Sequence, residues 1–132
     1  MAGTKQPRAK LTKTLLKIVA LLKEANVNTW FITYGTLLGI VRGNECIDGD
    51  DDIDIICDIQ DREVVAHIFH TNGFAVIRGD PSWLGDRATP ETAIERAKAF
   101  LRIESDEYAP VDFSLASVSE DGTYHDIWDD IV

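Results

Sequence analysis

Cysteine is scarce in this chain, with only Cys46 and Cys57 among 132 residues. Two are too few for a disulfide framework, and no Cys-x-x-Cys spacing occurs, so a cysteine-held zinc site is not expected. A reducing, cytoplasmic setting is the expectation that follows. Long hydrophobic runs are missing too. The apolar tract from Leu15 to Leu22 is interrupted by Lys17 and bounded by Lys23, far from the ~18 residues of a membrane span and unlike a cleavable secretion signal. Basic residues are outnumbered, 13 Lys and Arg against 23 Asp and Glu, for a net charge of −10. Polyanion binding draws on clustered cations, so nucleic acid is not expected as a partner. The basic residues Lys5, Arg8, Lys10, Lys13 and Lys17 read as a tail and a helix face.

What remains is an apolar fraction of 45% in a chain of one-domain length, enough for a core. Residues 1–9 are polar and expected to be a flexible tail, with 10–132 forming a single domain. Leu11, Leu15, Ile18, Val19 and Leu22 recur at helical spacing, which predicts a helix over 10–25. Residues 29–34 are β-rich and predict a first strand ended by Gly35. Thr36 is the expected N-cap of a short helix to Arg42, stopped by Gly43. A polar loop over 44–51 leads to a half-buried strand over 52–59, with carboxylates and Ile56 facing one way and Ile53, Ile55, Cys57 and Ile59 the other. A helix over 61–70, a strand over 74–78, a loop over 79–87 and a helix starting near Pro90 follow. Strands over 100–103 and 111–118 are expected to pair antiparallel. The fold class is α/β (α+β), a mixed β-sheet with helices packed mainly on one face.

The chemistry concentrates between Gly35 and Asp54. A Gly-Thr pair at a strand-to-helix turn presents backbone N–H groups and a hydroxyl to a phosphate. Asp52 and Asp54, one residue apart, lie on one face of a strand with Cα atoms roughly 6–7 Å apart, suited to a hard cation such as Mg²⁺ or Mn²⁺. An EF-hand reading of Asp48, Asp50 and Asp52 fails, because Ile53 and Ile59 occupy its glycine and final-ligand positions. Asp50 and Asp51 read as loop-shaping groups. Arg42 is a candidate phosphate contact by its guanidinium fork, with a surface ion pair as the plainer role. His67 and His70 read as surface residues. Trp30, Trp83 and Trp128 read as packing residues, Trp83 being the one placed to touch a ligand.

The run Gly35-Thr36-Leu37-Leu38-Gly39, then Arg42, Ile47 and Asp50-Asp51-Asp52-Ile53-Asp54-Ile55, resembles the LicD family. That family includes bacterial phosphocholine transferases and fukutin-related ribitol-phosphate transferases, within the nucleotidyltransferase-fold superfamily. The resemblance is strong over 34–55. It implies Asp52 and Asp54 as metal ligands and Gly35 and Thr36 as the phosphate turn. It also implies a third carboxylate on a later strand, which Asp112 in Pro110-Val111-Asp112-Phe113-Ser114 matches best, with Glu104, Asp106 and Asp126 as other candidates. The implied activity is transfer of a phospho-alcohol group from a CDP-linked donor to a glycan or sugar hydroxyl. Two alternatives stand beside it: a minimal nucleotidyltransferase moving NMP from an NTP, and a catalytically inactive nucleotide- or partner-binding domain. The oligomeric state is left open.

Overall fold

The computed structural model describes residues 5–79 and 98–125. Helix α1 spans Arg8–Glu24 and begins earlier than the apolar periodicity, because the Pro7 carbonyl accepts the first helical bonds from Lys10 and Leu11. Its buried stripe of Leu11, Thr14, Ile18, Leu21 and Leu22 follows the helical repeat. Asn26, in left-handed backbone, turns the chain into β1, Trp30–Ile32.

Helix α2 spans Tyr34–Gly43 with Thr33, not Thr36 as the sequence suggests, at the N-cap position, where its backbone carbonyl rather than its side chain accepts from Leu37. The physical reason is a competing partner. The Thr36 hydroxyl sits inside the first turn, 1% exposed, and accepts the N–H of Asp54 at 3.0 Å. The helix also runs through Gly43, and the left-handed terminating residue is Asn44. A loop then leads to β2, Ile53–Asp58, one residue shorter at each end than expected, with Ile59 in a short 3₁₀ turn. Helix α3 is Arg62–Thr71 and β3 is Ala75–Arg78. Strands β4, Phe100–Glu104, and β5, Val111–Val118, form the expected antiparallel pair. A two-residue strand, β6 at Tyr124–His125, pairs with the end of β5 and was not anticipated. The loop expected over 79–87, the helix near Pro90, Trp83, Asp126 and Trp128 lie outside the described residues, apart from Gly79.

The sheet runs β1-β2-β5-β4-β3. Strands β2 and β5 are parallel and every other pairing is antiparallel. Alternation divides its residues between two faces. Ile53, Ile55, Cys57, Val111, Phe113, Leu115, Leu101 and Ile103 are buried with Leu11, Ile18 and Leu22 of α1 and Val65 and Phe69 of α3. Asp54, Asp112 and Arg102 alternate with these core residues and occupy the other face. The helical cover on one side therefore sets up a polar working surface on the other.

Candidate active site

The site starts from register. Asp54 on β2 pairs directly with Asp112 on β5, and Asp112 pairs directly with Arg102 on β4. Side chains in one such row share a face and meet. Asp52 lies just before β2, two residues from Asp54 and therefore on the same side. Oxygens of Asp52, Asp54 and Asp112 all fall within 4.8 Å of one another. The central strands of a sheet hold such a cluster rigidly, because each backbone is bonded on both sides.

Asp54 is fastened further to the start of α2. Its carbonyl accepts from the Thr33 N–H at 3.0 Å, while its N–H donates to the Thr36 hydroxyl. Gly35 lies in the first turn of that helix. The Gly35-Thr36 turn and the carboxylate motif are thereby joined by direct hydrogen bonds, Thr36 and Asp54 lying 18 residues apart in sequence. Arg42 stands in the last turn of α2 with an exposed side chain, roughly 9 Å along the helix from Thr36 by the helical rise. The structure thus brings together Asp52, Asp54, Asp112 and Thr36, and leaves Arg42 at the opposite end of α2.

The loop that delivers Asp52 is braced from two directions. Gly39 of α2 is packed so closely that a Cβ there would meet the Glu45 carbonyl oxygen at 2.6 Å and the Ile47 nitrogen at 2.9 Å. The segment before α1 forms a two-way backbone bridge, Gln6 N–H to Asp50 O and Gly49 N–H to Gln6 O. Arg8 adds bonds from its backbone N–H to Asp48 and from Nε to the Cys46 carbonyl. Gly49 takes φ +85°, a conformation costly for other residues. Asp50, Asp51 and Asp52 form a second close acidic group, in which Asp50 Oδ1 accepts the Asp51 N–H.

Burial and mutual repulsion dominate the electrostatics. Burial pushes the Asp52 carboxyl up to about 9, helped by a hydrogen bond with Asp112 and by the Asp54 and Asp112 charges. Burial and the Asp112 and Asp50 charges push Asp54 up to about 7. Burial, with the Asp51 charge, also raises Asp50. A cluster that retains protons near neutrality carries more carboxylates than the positive charge beside it offsets, a deficit that a divalent ion fills. The all-oxygen donor set, on one rigid face, fits a hard cation.

One residue escaped the sequence reading. Arg102 Nη1 donates to Asp112 Oδ1 at 2.8 Å and Oδ2 at 3.0 Å, Nε donates to Glu104 Oε1 at 2.8 Å, and Nη1 lies 4.0 Å from Asp52 Oδ2. The signal available was the alternation Leu101, Arg102, Ile103, Glu104 on a strand expected to pair with that of Asp112. Of the other candidates for a third carboxylate, Glu104 is taken up by Arg102, and Asp106 is exposed in the β4–β5 connection. His67 and His70 are exposed on α3, and Trp30 packs against the core.

A mixed sheet carrying carboxylates at the ends of adjacent strands beside a helix N-terminus is the architecture of nucleotidyltransferases. A sequence model of the LicD/FKTN/FKRP nucleotidyltransferase domain matches residues 26–130. The chain belongs to this family, one of transferases of phosphorus-containing groups. Comparison with curated protein sequences returns no match. Among solved structures it is similar to the lincosamide antibiotic adenylyltransferase LnuA, solved with lincomycin bound, at 19% identity and TM-score 0.62, covering 85% of this chain and 60% of that one. It is also similar to the antibiotic-resistance factor ANT(2'')-Ia, at 18% identity and TM-score 0.64, covering 91% and 54%. A Thermotoga maritima protein described as a nucleotidyltransferase shows 23% identity and TM-score 0.53, covering 92% of this chain and 67% of that one. The chain thus spans little more than half the length of the two antibiotic-modifying proteins.

Proposed function

We propose that this chain is a metal-dependent phosphotransferase of LicD type, moving a phospho-alcohol group, phosphocholine or ribitol phosphate, from a CDP-linked donor to a glycan hydroxyl. The observation that carries the reading is the convergence of Asp52, Asp54 and Asp112 within 4.8 Å on one sheet face, hydrogen-bonded through Asp54 to the first turn of α2. Family membership supports the choice of donor. Asp52, Asp54 and Asp112 would hold Mg²⁺ or Mn²⁺. Bound there, the ion supplies charge neutralisation for the phosphoryl oxygens and the leaving group.

The chain's own groups do the rest. The N–H groups of the first turn of α2, around Gly35 and Thr36, receive a donor phosphate. Thr36 keeps the Asp54 backbone, and so its carboxylate, aimed at the cluster. Asp112 takes the proton of the acceptor hydroxyl as its oxygen bonds to the phosphorus bearing the alcohol. The bond from that phosphorus to CMP breaks, and CMP leaves. Arg42 engages the donor only if the nucleotide extends along α2.

The test is calorimetric titration of CDP-choline, CDP-ribitol and the four NTPs, with Mn²⁺ present, against the wild type and Asp54→Asn. Expected is Mn²⁺-dependent binding of a CDP-alcohol that Asp54→Asn weakens by ~100-fold or more, since one of few ligands to a divalent ion is lost. Selective binding of an NTP would replace this reading with NMP transfer. Binding of neither class, with or without Mn²⁺, would leave a domain kept for other contacts.

A further inference from the structure

Arg102 has no part in the transfer chemistry just described, yet it makes the closest charged contacts in the cluster. It is held from two sides. Glu104, two residues along β4 and on the same face, accepts from Nε at 2.8 Å, and Asp112, directly opposite on β5, accepts from Nη1 through both oxygens. The Arg102 side chain is only 29% exposed and its Nη1 is 4.0 Å from Asp52 Oδ2. A single nitrogen thus bonds both oxygens of the carboxylate that would offer the third metal ligand. A divalent ion bound through Asp52, Asp54 and Asp112 needs at least one of those oxygens, and its charge would stand against the guanidinium at short range.

The geometry points to Arg102 as a positioning residue that serves as the site's internal counter-cation. In the metal-free protein it holds Asp112 in line with Asp54 and offsets part of the cluster's charge. On metal loading it yields an Asp112 oxygen to the ion and stays anchored by Glu104. This rests on the metal-binding reading above. It has a consequence that a plain structural ion pair does not share: removing the guanidinium should strengthen metal binding. A brace that only shaped Asp112 would weaken metal binding when removed.

The experiment is a Mn²⁺ titration of the whole chain followed by electron paramagnetic resonance of the free ion. The wild type is compared with Arg102→Met, Arg102→Lys, Asp54→Asn and, as a control for general charge, Arg78→Met on the neighbouring strand, with circular dichroism to confirm folding. Expected is roughly tenfold tighter Mn²⁺ binding by Arg102→Met, with Arg102→Lys within about threefold of wild type because it keeps the charge. Arg78→Met, whose guanidinium pairs with Glu63, stays within about twofold, as an exposed and screened charge should. Arg102→Gln replaces the methionine variant if that one does not fold. Wild-type binding that depends on Asp54 but is unchanged or weakened by loss of Arg102 overturns this inference alone. Failure of wild type and Arg102→Met alike to bind Mn²⁺ overturns the metal reading and this inference with it.

Discussion

Asp52 and Asp54 hold protons in the folded chain that they release in the unfolded one, and this gives the metal-free protein a definite pH response. Their ordinary value of 3.8 is raised to about 9 and about 7, first by burial and then by neighbouring carboxylates. Between about pH 4 and these values the native state binds more protons than the unfolded state, so stability falls as pH rises. In EDTA, the melting temperature should therefore decline from pH 5 to pH 8.5, and Asp54→Asn should flatten that decline; a curve rising across this range would refute the assignment. The two thiols sit at the opposite extreme of reactivity. Both cysteines are buried and free, and burial pushes Cys57 up to about 12, which suits a core residue and no catalytic role.

At the scale of elements, the site depends on two joints. The first is between α2 and the loop carrying Asp50 to Asp52, where Gly39 lets the chains touch. Alanine there gains about 1 kcal/mol of helix propensity, but its Cβ meets backbone atoms at 2.6 and 2.9 Å, which no rotamer change relieves. Gly39→Ala should lose about 1–3 kcal/mol net in urea unfolding and bind Mn²⁺ more weakly, because the displaced loop carries Asp52. The second joint ties α1 to the β4–β5 connection. The wholly buried Thr14 hydroxyl donates to the Lys10 carbonyl at 2.7 Å and accepts the Ala109 N–H at 2.8 Å. Thr14→Val keeps the shape but strands a buried N–H. Urea unfolding should show a loss of about 1–3 kcal/mol, with Mn²⁺ affinity unaffected since α1 lies on the other face.

For the whole molecule, one face of the described sheet is spent on the core and the other carries the charged row of Asp54, Asp112 and Arg102 beside the buried Ile56 and Ala116. Carboxylates crowded on that face, in a chain of net charge −10, make a bound cation a stabilising ligand of the fold. At a hundred times the dissociation constant a ligand contributes about 2.7 kcal/mol. Mn²⁺ should accordingly raise the melting temperature by about 5 °C or more, and Asp54→Asn should abolish most of that rise in a thermal scan. This chain spans 54–60% of the length of the two antibiotic-resistance proteins it is similar to in fold.

Elements with strong local periodicity are legible in the sequence itself. The bounds of β5 follow from apolar alternation, the presence of α1 from its leucine and isoleucine spacing, and the Asp52/Asp54 pair from the single residue between them where β2 begins. These signals are short-range, so the sequence alone determines them. Asp112 was legible as a candidate only through the family resemblance. The cap of α2 was misplaced because Thr36 spends its hydroxyl on Asp54 rather than on its own helix, a choice visible only when β2 lies alongside. Arg102 was missed for the same kind of reason. Its partnership with Asp112 depends on the register of β4 against β5, and a shift of one residue would turn it into the core. Register is decided by how the whole apolar face packs under α1 and α3, and so tertiary structure alone turned an acidic motif into a cluster with its own counter-ion.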